Sequence, residues 1–490
     1  MKLSNYFSLN WSNSIIIIIG FVFLSLSIYK AAHTAFTHDE SFTYLSYVKK
    51  SFIGIVTMEE PVSANNHILN SFGMKVIDKL MAPTPFNLRL PNIFAHLLFL
   101  VFSALIINTY KSNYFKVIAF ILLNANIYLI DFFSLARGYG LSLGFLMAHW
   151  YFLYRTVDNI QNKNNFNIML FALLLAMLSS FSVIYYTISL FLVYLYYETK
   201  NAINKKSLFL SVLIRNWKSV LLFSFIIIAF LFGPMLKLIQ FKQLYFGGTH
   251  DFFHDTIYSL VYYSSISAGL IDSQIKIIFL IVLVLMAIVM GMQLIKLFRK
   301  RTTIESSFFV AILLIIMFIQ IAFFYLFNTK YLIQRTALFL IPIFVFALLG
   351  FVNELSNTII YSLAGLMAVF LLYFTLRYTP SDLSLNWQYD SDNEKLISEL
   401  KTFYKKSDTQ DKLSLGVDWI FQPSLNFYRA TTDANTWLDT IVKEGYDHKK
   451  YEYYFVESAS LNKFVDTAQF RVLKTFPKSN NLLIKNLKFE

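Results

Sequence analysis

Asp39 and Glu40 are adjacent carboxylates just beyond an apolar run that ends near Tyr29. Two such groups where lipid gives way to water can serve acid–base chemistry. They also fit a local role. Thr37-x-x-Glu40 has the spacing of a capping box, and Asp39 falls in the first helical turn, where a carboxylate suits the dipole. Spacing alone favours the cap. The two roles are compatible, because Glu40 can cap while Asp39 serves a site.

Cations and histidines are the other candidates. Arg137 and Tyr139 stand at the end of an apolar run, where an anion site competes with an arginine that snorkels to water or pairs with Asp131. Lys330 and Arg335 flank another run, and the planar fork of arginine suits a phosphate. Ordinary lipid headgroups offer the same anion. Arg89 positions a loop or marks the interface. His67, preceded by Asn66, is a plain polar residue, an orienting partner for Asp39 or a ligand. In Thr249-His250-Asp251-Phe252-Phe253-His254-Asp255 the two histidines are i, i+4. With Asp251 they could hold a divalent metal, or the segment is only a polar, aromatic loop cap.

The elements that carry these residues are membrane helices. Of 490 residues, 57% are hydrophobic and 14% charged, and 52 are Phe. A water-soluble fold cannot hide that much apolar surface. A soluble enzyme, a disordered chain and a fibrous repeat are excluded. The net charge of +13 is accounted for by cytoplasmic loops rather than nucleic acid. With no cysteine, disulfides and thiolate metal sites are excluded.

About eleven apolar runs have spanning character. They are Asn13–Tyr29, Leu90–Ile107, Tyr114–Ile130, Tyr139–Leu153, Ile168–Phe181, Val183–Tyr197, Val220–Leu238, Ile275–Leu297, Phe308–Phe327, Leu332–Phe351 and Ile359–Leu376. Lysine and arginine collect in alternate loops: Lys111 and Lys116; Arg155 and Lys163; Lys200, Lys205, Lys206, Arg215 and Lys218; Lys296, Arg299, Lys300 and Arg301. The positive-inside rule puts these loops and the N-terminus in the cytoplasm of a cell-membrane protein. The first loop (30–89), a loop at 240–274 and the tail then lie outside.

The expected fold is an α-helical polytopic membrane protein with interfacial helices in the first outer loop. One such helix carries Phe42, Leu45, Val48 and Phe52; a second carries Leu69, Phe72, Val76 and Leu80 and stops at Pro83 and Pro85. Composition shifts after Pro380 and divides the chain into a transmembrane domain (1–378) and a small extracytoplasmic α/β domain (379–490). In the latter, helices are expected at 393–405, 423–428 and 434–443, strands at 413–421 and 451–457, and a hairpin around 477–480.

The ordered set Thr37-His38-Asp39-Glu40, Asn66-His67, Arg89-Leu90-Pro91, Ser134-Leu135-Ala136-Arg137-Gly138-Tyr139 and Gln334-Arg335 with Pro342 resembles the GT-C glycosyltransferases. The resemblance is to the bacterial branch of protein O-mannosyltransferases, aminoarabinose transferases and RgtA-type sugar transferases. It implies an inverting enzyme that moves a sugar from a polyprenyl-phosphate donor to an acceptor hydroxyl on the extracytoplasmic face. The acceptor would be a lipid, glycan or protein. The acidic pair Asp39 and Glu40 would be catalytic, with Asp39 as base. Arg137, Tyr139, Lys330 and Arg335 would bind the donor phosphate or sugar, and Asn66, His67 and Arg89 would support the site. No cofactor is required, and a divalent metal stays open at His250, His254 and Asp251. The competing functions are a transporter or flippase of polyprenyl-linked sugars and an O-antigen polymerase or ligase. A transporter should carry charges near the bilayer midplane, whereas these candidates gather at the outer ends of spans.

Overall fold

Each run expected to span the membrane overlaps a helix or a bent pair of helices, and the run expected at Leu332–Phe351 becomes helical only from Leu340 after a 3₁₀ turn. The computed structural model describes residues 10–159, 162–203, 213–298, 304–355, 357–406, 411–442, 450–463 and 469–489. Six of the described helices are long and apolar enough to cross a membrane: Trp11–His33, Pro85–Ile107, Trp217–Gln240, Asp272–Lys296, Ser307–Phe327 and Thr358–Tyr378. A seventh candidate is Asn113–Asn124 with Ile127–Phe133, bent by 64°. The other expected spans fall on Gly138–Asp158, Lys163–Ser179, Val183–Ile203 and Leu340–Leu355. Large apolar side chains such as Phe21, Leu222, Phe225, Leu280 and Leu366 are exposed on these helices. Such surfaces are at home in lipid, and the chain is a multi-pass membrane protein. The loop cations Lys205, Lys206, Arg299, Lys300 and Arg301 lie outside the described residues.

The chain forms two compact units. One comprises residues 1–28, 56–70 and 91–380; the other comprises 29–55, 71–90 and 381–490. The break at 380/381 lies within two residues of the expected 378/379. Two stretches of the first loop fold with the tail, because the acidic motif and the tail exchange hydrogen bonds described below.

The first interfacial helix is interrupted. It runs His38–Thr43, widens into a π-turn over Tyr44–Val48, and resumes at Phe52–Val56. Tyr44, Tyr47 and Val48 are buried, while Leu45 and Phe52 are exposed. The second helix, Ile68–Leu80, leaves Phe72, Val76 and Leu80 exposed, a face suited to the lipid boundary. The second span begins at Pro85, earlier than expected, which puts Pro91 inside the helix. Pro85 takes the first helical position, where the missing N–H costs nothing.

The tail carries four strands, β1 (Leu415–Val417), β2 (Tyr453–Glu457), β3 (Phe470–Phe476) and β4 (Asn481–Asn486), in the order β1-β2-β4-β3. β1 is parallel to β2, and β4 is antiparallel to both β2 and β3. Tyr454, Val456, Leu482 and Ile484 form the core on one face. On the other, Phe455 meets Phe421 and Phe476. Helices Asn393–Lys406 and Gln422–Thr431 bury Leu400 and Leu425 completely.

The hairpin and the first two tail helices match expectation. The expected helix at 434–443 does not: it ends at Trp437, and its last position, Lys443, lies outside the described residues. The chain after Trp437 extends to bridge Leu413, with the Leu413 amide on the Trp437 carbonyl at 2.9 Å and the Asp439 amide on the Leu413 carbonyl at 3.0 Å. Backbone pairing with a distant segment outweighs helix propensity there. The expected strand at 413–421 likewise shortens to three residues, because Asp418 turns the chain by accepting the Phe421 amide.

Candidate active site

The acidic motif is built as a capping box. Thr37 is extended (φ −80°, ψ 162°), its hydroxyl accepts the Glu40 amide at 3.4 Å, and Glu40 Oε2 accepts the Thr37 amide at 3.0 Å. Arg89 then closes on the same carboxylate. Its Nε donates to Glu40 Oε1 at 2.9 Å and its Nη2 to Oε2 at 2.7 Å. The remaining guanidinium donors reach the carbonyls of Ala31, Thr34 and Ala35 at 2.7–3.0 Å. All five N–H groups are thereby used, and arginine has no more. Arg89 ties the C-terminal end of the first span to the acidic motif.

Asp39 occupies the second position of the short helix and is largely buried. Its carbonyl accepts the Thr43 hydroxyl at 2.9 Å. The tail holds the residues before it. The Phe36 amide donates to Tyr428 Oη at 2.9 Å, and the Phe36 ring packs on Phe427 at 4.1 Å. The His38 amide donates to Asp390 Oδ2 at 2.6 Å, and His38 Nδ1 donates to the Ile420 carbonyl at 2.7 Å. Burial pushes the Asp390 carboxyl up to about 8, with the Asp39 charge adding to the rise. Hydrogen bonds from Ser424, the His38 amide and Asn393 act in the opposite sense.

A second group gathers around Arg137, in the other unit. Arg137 is buried, precedes helix Gly138–Asp158, and donates from Nη2 to Asn65 Oδ1 at 2.8 Å. His67 Nδ1 donates to the Ser179 carbonyl at 2.8 Å, and its ring meets Tyr139 edge-on at 4.7 Å. Nδ1 therefore carries a proton. The same contact helps explain the break between Lys163–Ser179 and Val183–Ile203. The Ser179 carbonyl is taken by His67, and the Val183 amide goes to Ser180 instead. Gly138 is required here, since a Cβ would lie 1.9 Å from the Ser179 carbonyl oxygen and 2.6 Å from the His67 ring. Gly140 and Gly144 let the helix approach the backbones of Phe132 and Ala95 in the same way.

Asn66 is buried beside His67. Asn65, Asn70 and Asn92 were not anticipated. Asn70 donates to the Ala136 carbonyl at 2.8 Å, and Asn92 donates to Asn70 and accepts the Leu141 amide, so the Arg137 loop is held on both sides.

Arg335 lies in a single 3₁₀ turn, Gln334–Ala337, and its guanidinium carbon stands 4.2 Å from the Phe246 ring centre. That distance is well inside cation–π range. The turn is fixed by the Gln334 amide on Ser259 Oγ at 2.9 Å and by Thr256 Oγ1 on the Leu332 carbonyl at 2.7 Å. Lys330 is exposed and donates to the Tyr245 carbonyl at 2.5 Å. Aromatic contacts lead from Tyr139 to Phe132 (5.3 Å), Tyr128 (5.2 Å) and Tyr263 (5.4 Å). Burial raises the Tyr263 phenol and the Arg335 charge opposes that rise, so this row ends within the field of Arg335.

The histidine segment needs a correction. The carboxylate that meets His250 and His254 is Asp255, and the three ligand atoms lie within 4.8 Å of one another. Asp251 instead caps the π-turn Phe252–Tyr258, accepting the Phe253 and His254 amides at 2.8 Å each. The chemistry of the donor set, two imidazoles and a carboxylate, fits a divalent ion.

The sequence matches no known protein family and no curated protein. The structure is similar to that of ArnT from Cupriavidus metallidurans in the apo state. Identity is 9% and the TM-score 0.52, over 97% of this chain and 98% of that one. A second structure of that protein, bound to undecaprenyl phosphate, aligns with a TM-score of 0.49 and 10% identity over 96% and 97% of the two chains. The chain thus shares the fold of that apo ArnT structure.

Proposed function

We propose that this chain is an inverting glycosyltransferase that takes a sugar from a polyprenyl-phosphate donor and places it on an acceptor hydroxyl at the extracytoplasmic face. One observation carries the reading. Glu40 binds the Thr37 amide and Arg89 and so fixes the short helix on which Asp39 is largely buried, and Asp39 is assigned as the base. Glu40 is then a positioning residue rather than a second catalytic acid.

The acceptor oxygen attacks the anomeric carbon as the bond to the phosphate oxygen breaks. The hydroxyl proton goes to the Asp39 carboxylate, and the lipid monophosphate leaves with the bonding electron pair. One carboxylate suffices, because no glycosyl-enzyme intermediate forms. Charge builds on the departing phosphate, where preformed donors are most effective. Arg137 and Arg335 supply those donors, with Lys330 as a more exposed cation. Tyr139 and the aromatic row beyond it give the donor an apolar flank. A divalent ion on His250, His254 and Asp255 would brace the outer loop, and the displacement itself does not call on it.

The test is release of undecaprenyl phosphate from synthetic undecaprenyl-phosphate pentoses and hexoses by the purified full-length protein. Asp39→Asn should lower turnover by about 10²–10⁴ with an unchanged melting temperature. Equal turnover in the two proteins would move the base elsewhere.

A further inference from the structure

Asp39 is bracketed by fixed neighbours. On its C-terminal side Glu40 is clamped by the cap and Arg89. On its N-terminal side the restraint comes from the tail. The His38 amide is among the first N–H groups of the helix, which have no partner within it. Asp390 supplies the acceptor from 352 residues away, and its other oxygen is held by Ser424 Oγ at 2.7 Å and Asn393 Nδ2 at 2.8 Å. The carboxyl is 1% exposed. The His38 ring is anchored as well, on the Ile420 carbonyl.

We propose that Asp390 is a positioning residue for Asp39: by holding the amide of the preceding residue, it fixes the turn on which the base stands during transfer. This rests on the assignment of Asp39 as base. The titratable groups that act with Asp390 are Asp39 and His38 of the acidic motif and Tyr428 on helix Gln422–Thr431, and Tyr428 in turn feels Glu394 on helix Asn393–Lys406 and Arg89. Two buried like charges side by side are unfavourable. Burial, and then the Asp39 charge, raise the Asp390 carboxyl to about 8, and Ser424 Oγ lies within hydrogen-bond reach of both Asp390 Oδ1 and the Phe421 carbonyl. Ionisation near pH 8 puts a second negative charge beside Asp39 and disturbs the turn.

The experiment compares wild type, Asp390→Asn, Asp390→Ala and Asp39→Asn as full-length proteins in nanodiscs. Turnover of undecaprenyl-phosphate sugars is measured from pH 6 to 9.5, and hydrogen exchange of the 37–41 amides is measured in parallel. Asp390→Ala should lower kcat at least tenfold with donor KM within twofold, and should speed exchange at 37–41. Asp390→Asn, which mimics the neutral carboxyl, should keep most of the neutral rate and lose the fall in rate near pH 8. If Asp390→Ala matches wild type in kcat and exchange, or Asp390→Asn keeps the wild-type alkaline fall, the proposal is overturned. If Asp39→Asn turns over like wild type, the base assignment itself fails. The exchange data then separately decide whether Asp390 holds the turn.

Discussion

Arg89 and Glu40 form a two-point ion pair in which neither side chain reaches solvent. Such a pair is weak evidence for stability, yet removing one partner leaves a buried charge and costs about 3–5 kcal/mol. Glu40→Gln and Arg89→Met should each lower the melting temperature sharply and reduce the yield of monodisperse protein. The double variant should recover much of the loss, because both charges are gone. Additive losses in that cycle, read by thermal unfolding in detergent, would show that the two residues act separately.

Gly138 predicts a second stability effect, of steric origin. Alanine there would press its Cβ into the Ser179 carbonyl and the His67 ring, and backbone cannot move aside cheaply. Overpacking of this kind costs about 1–3 kcal/mol. Gly138→Ala should destabilise the protein, whereas Gly291→Ala should not, since nothing lies within 4 Å of a Cβ at 291. Equal melting temperatures for the two variants would contradict the close approach.

Arg335 separates binding from folding. It is partly exposed, and its contact with Phe246 is worth about 0.5–1 kcal/mol at such a site. Arg335→Ala should therefore barely change the melting point. As a phosphate ligand, its loss should raise donor KM by about tenfold or more, the equivalent of about 1.4 kcal/mol. Arg335→Lys should fall between, keeping the charge without the fork. A change confined to acceptor KM would remove Arg335 from the phosphate.

What the sequence made readable was local. Thr37 and Glu40 are three residues apart, so their cap was visible, as were the apolar runs and the tight hairpin at 477–480. The partners of that cap were not. Arg89 and Asp390 lie 49 and 352 residues from the groups they hold, and a lone arginine or aspartate carries no mark of such a contact. Asn65, Asn70 and Asn92 were missed for the same reason. The Asp251 assignment had a local signal that was outweighed by the histidine spacing: an aspartate just before a helical turn is first a cap. The π-turn that follows brings Asp255 to the histidines instead.

Asp390 also predicts how stability depends on pH. Burial lifts its carboxyl from the ordinary 3.8 to about 8 in the folded state. The folded protein thus binds a proton that the unfolded chain has released. The stabilisation is fully present below about pH 4 and is lost as pH rises toward 8, at up to about 1.4 kcal/mol per pH unit. Above that point both states are ionised and the loss levels off. Asp390→Asn removes the titration while keeping an acceptor for the His38 amide. Its melting temperature should therefore gain on wild type as pH rises from 5 to 8, and hold that gain beyond. Thermal unfolding of both proteins in one detergent at half-unit pH steps measures the difference. A constant offset across the range would mean that Asp390 is already charged in the folded protein.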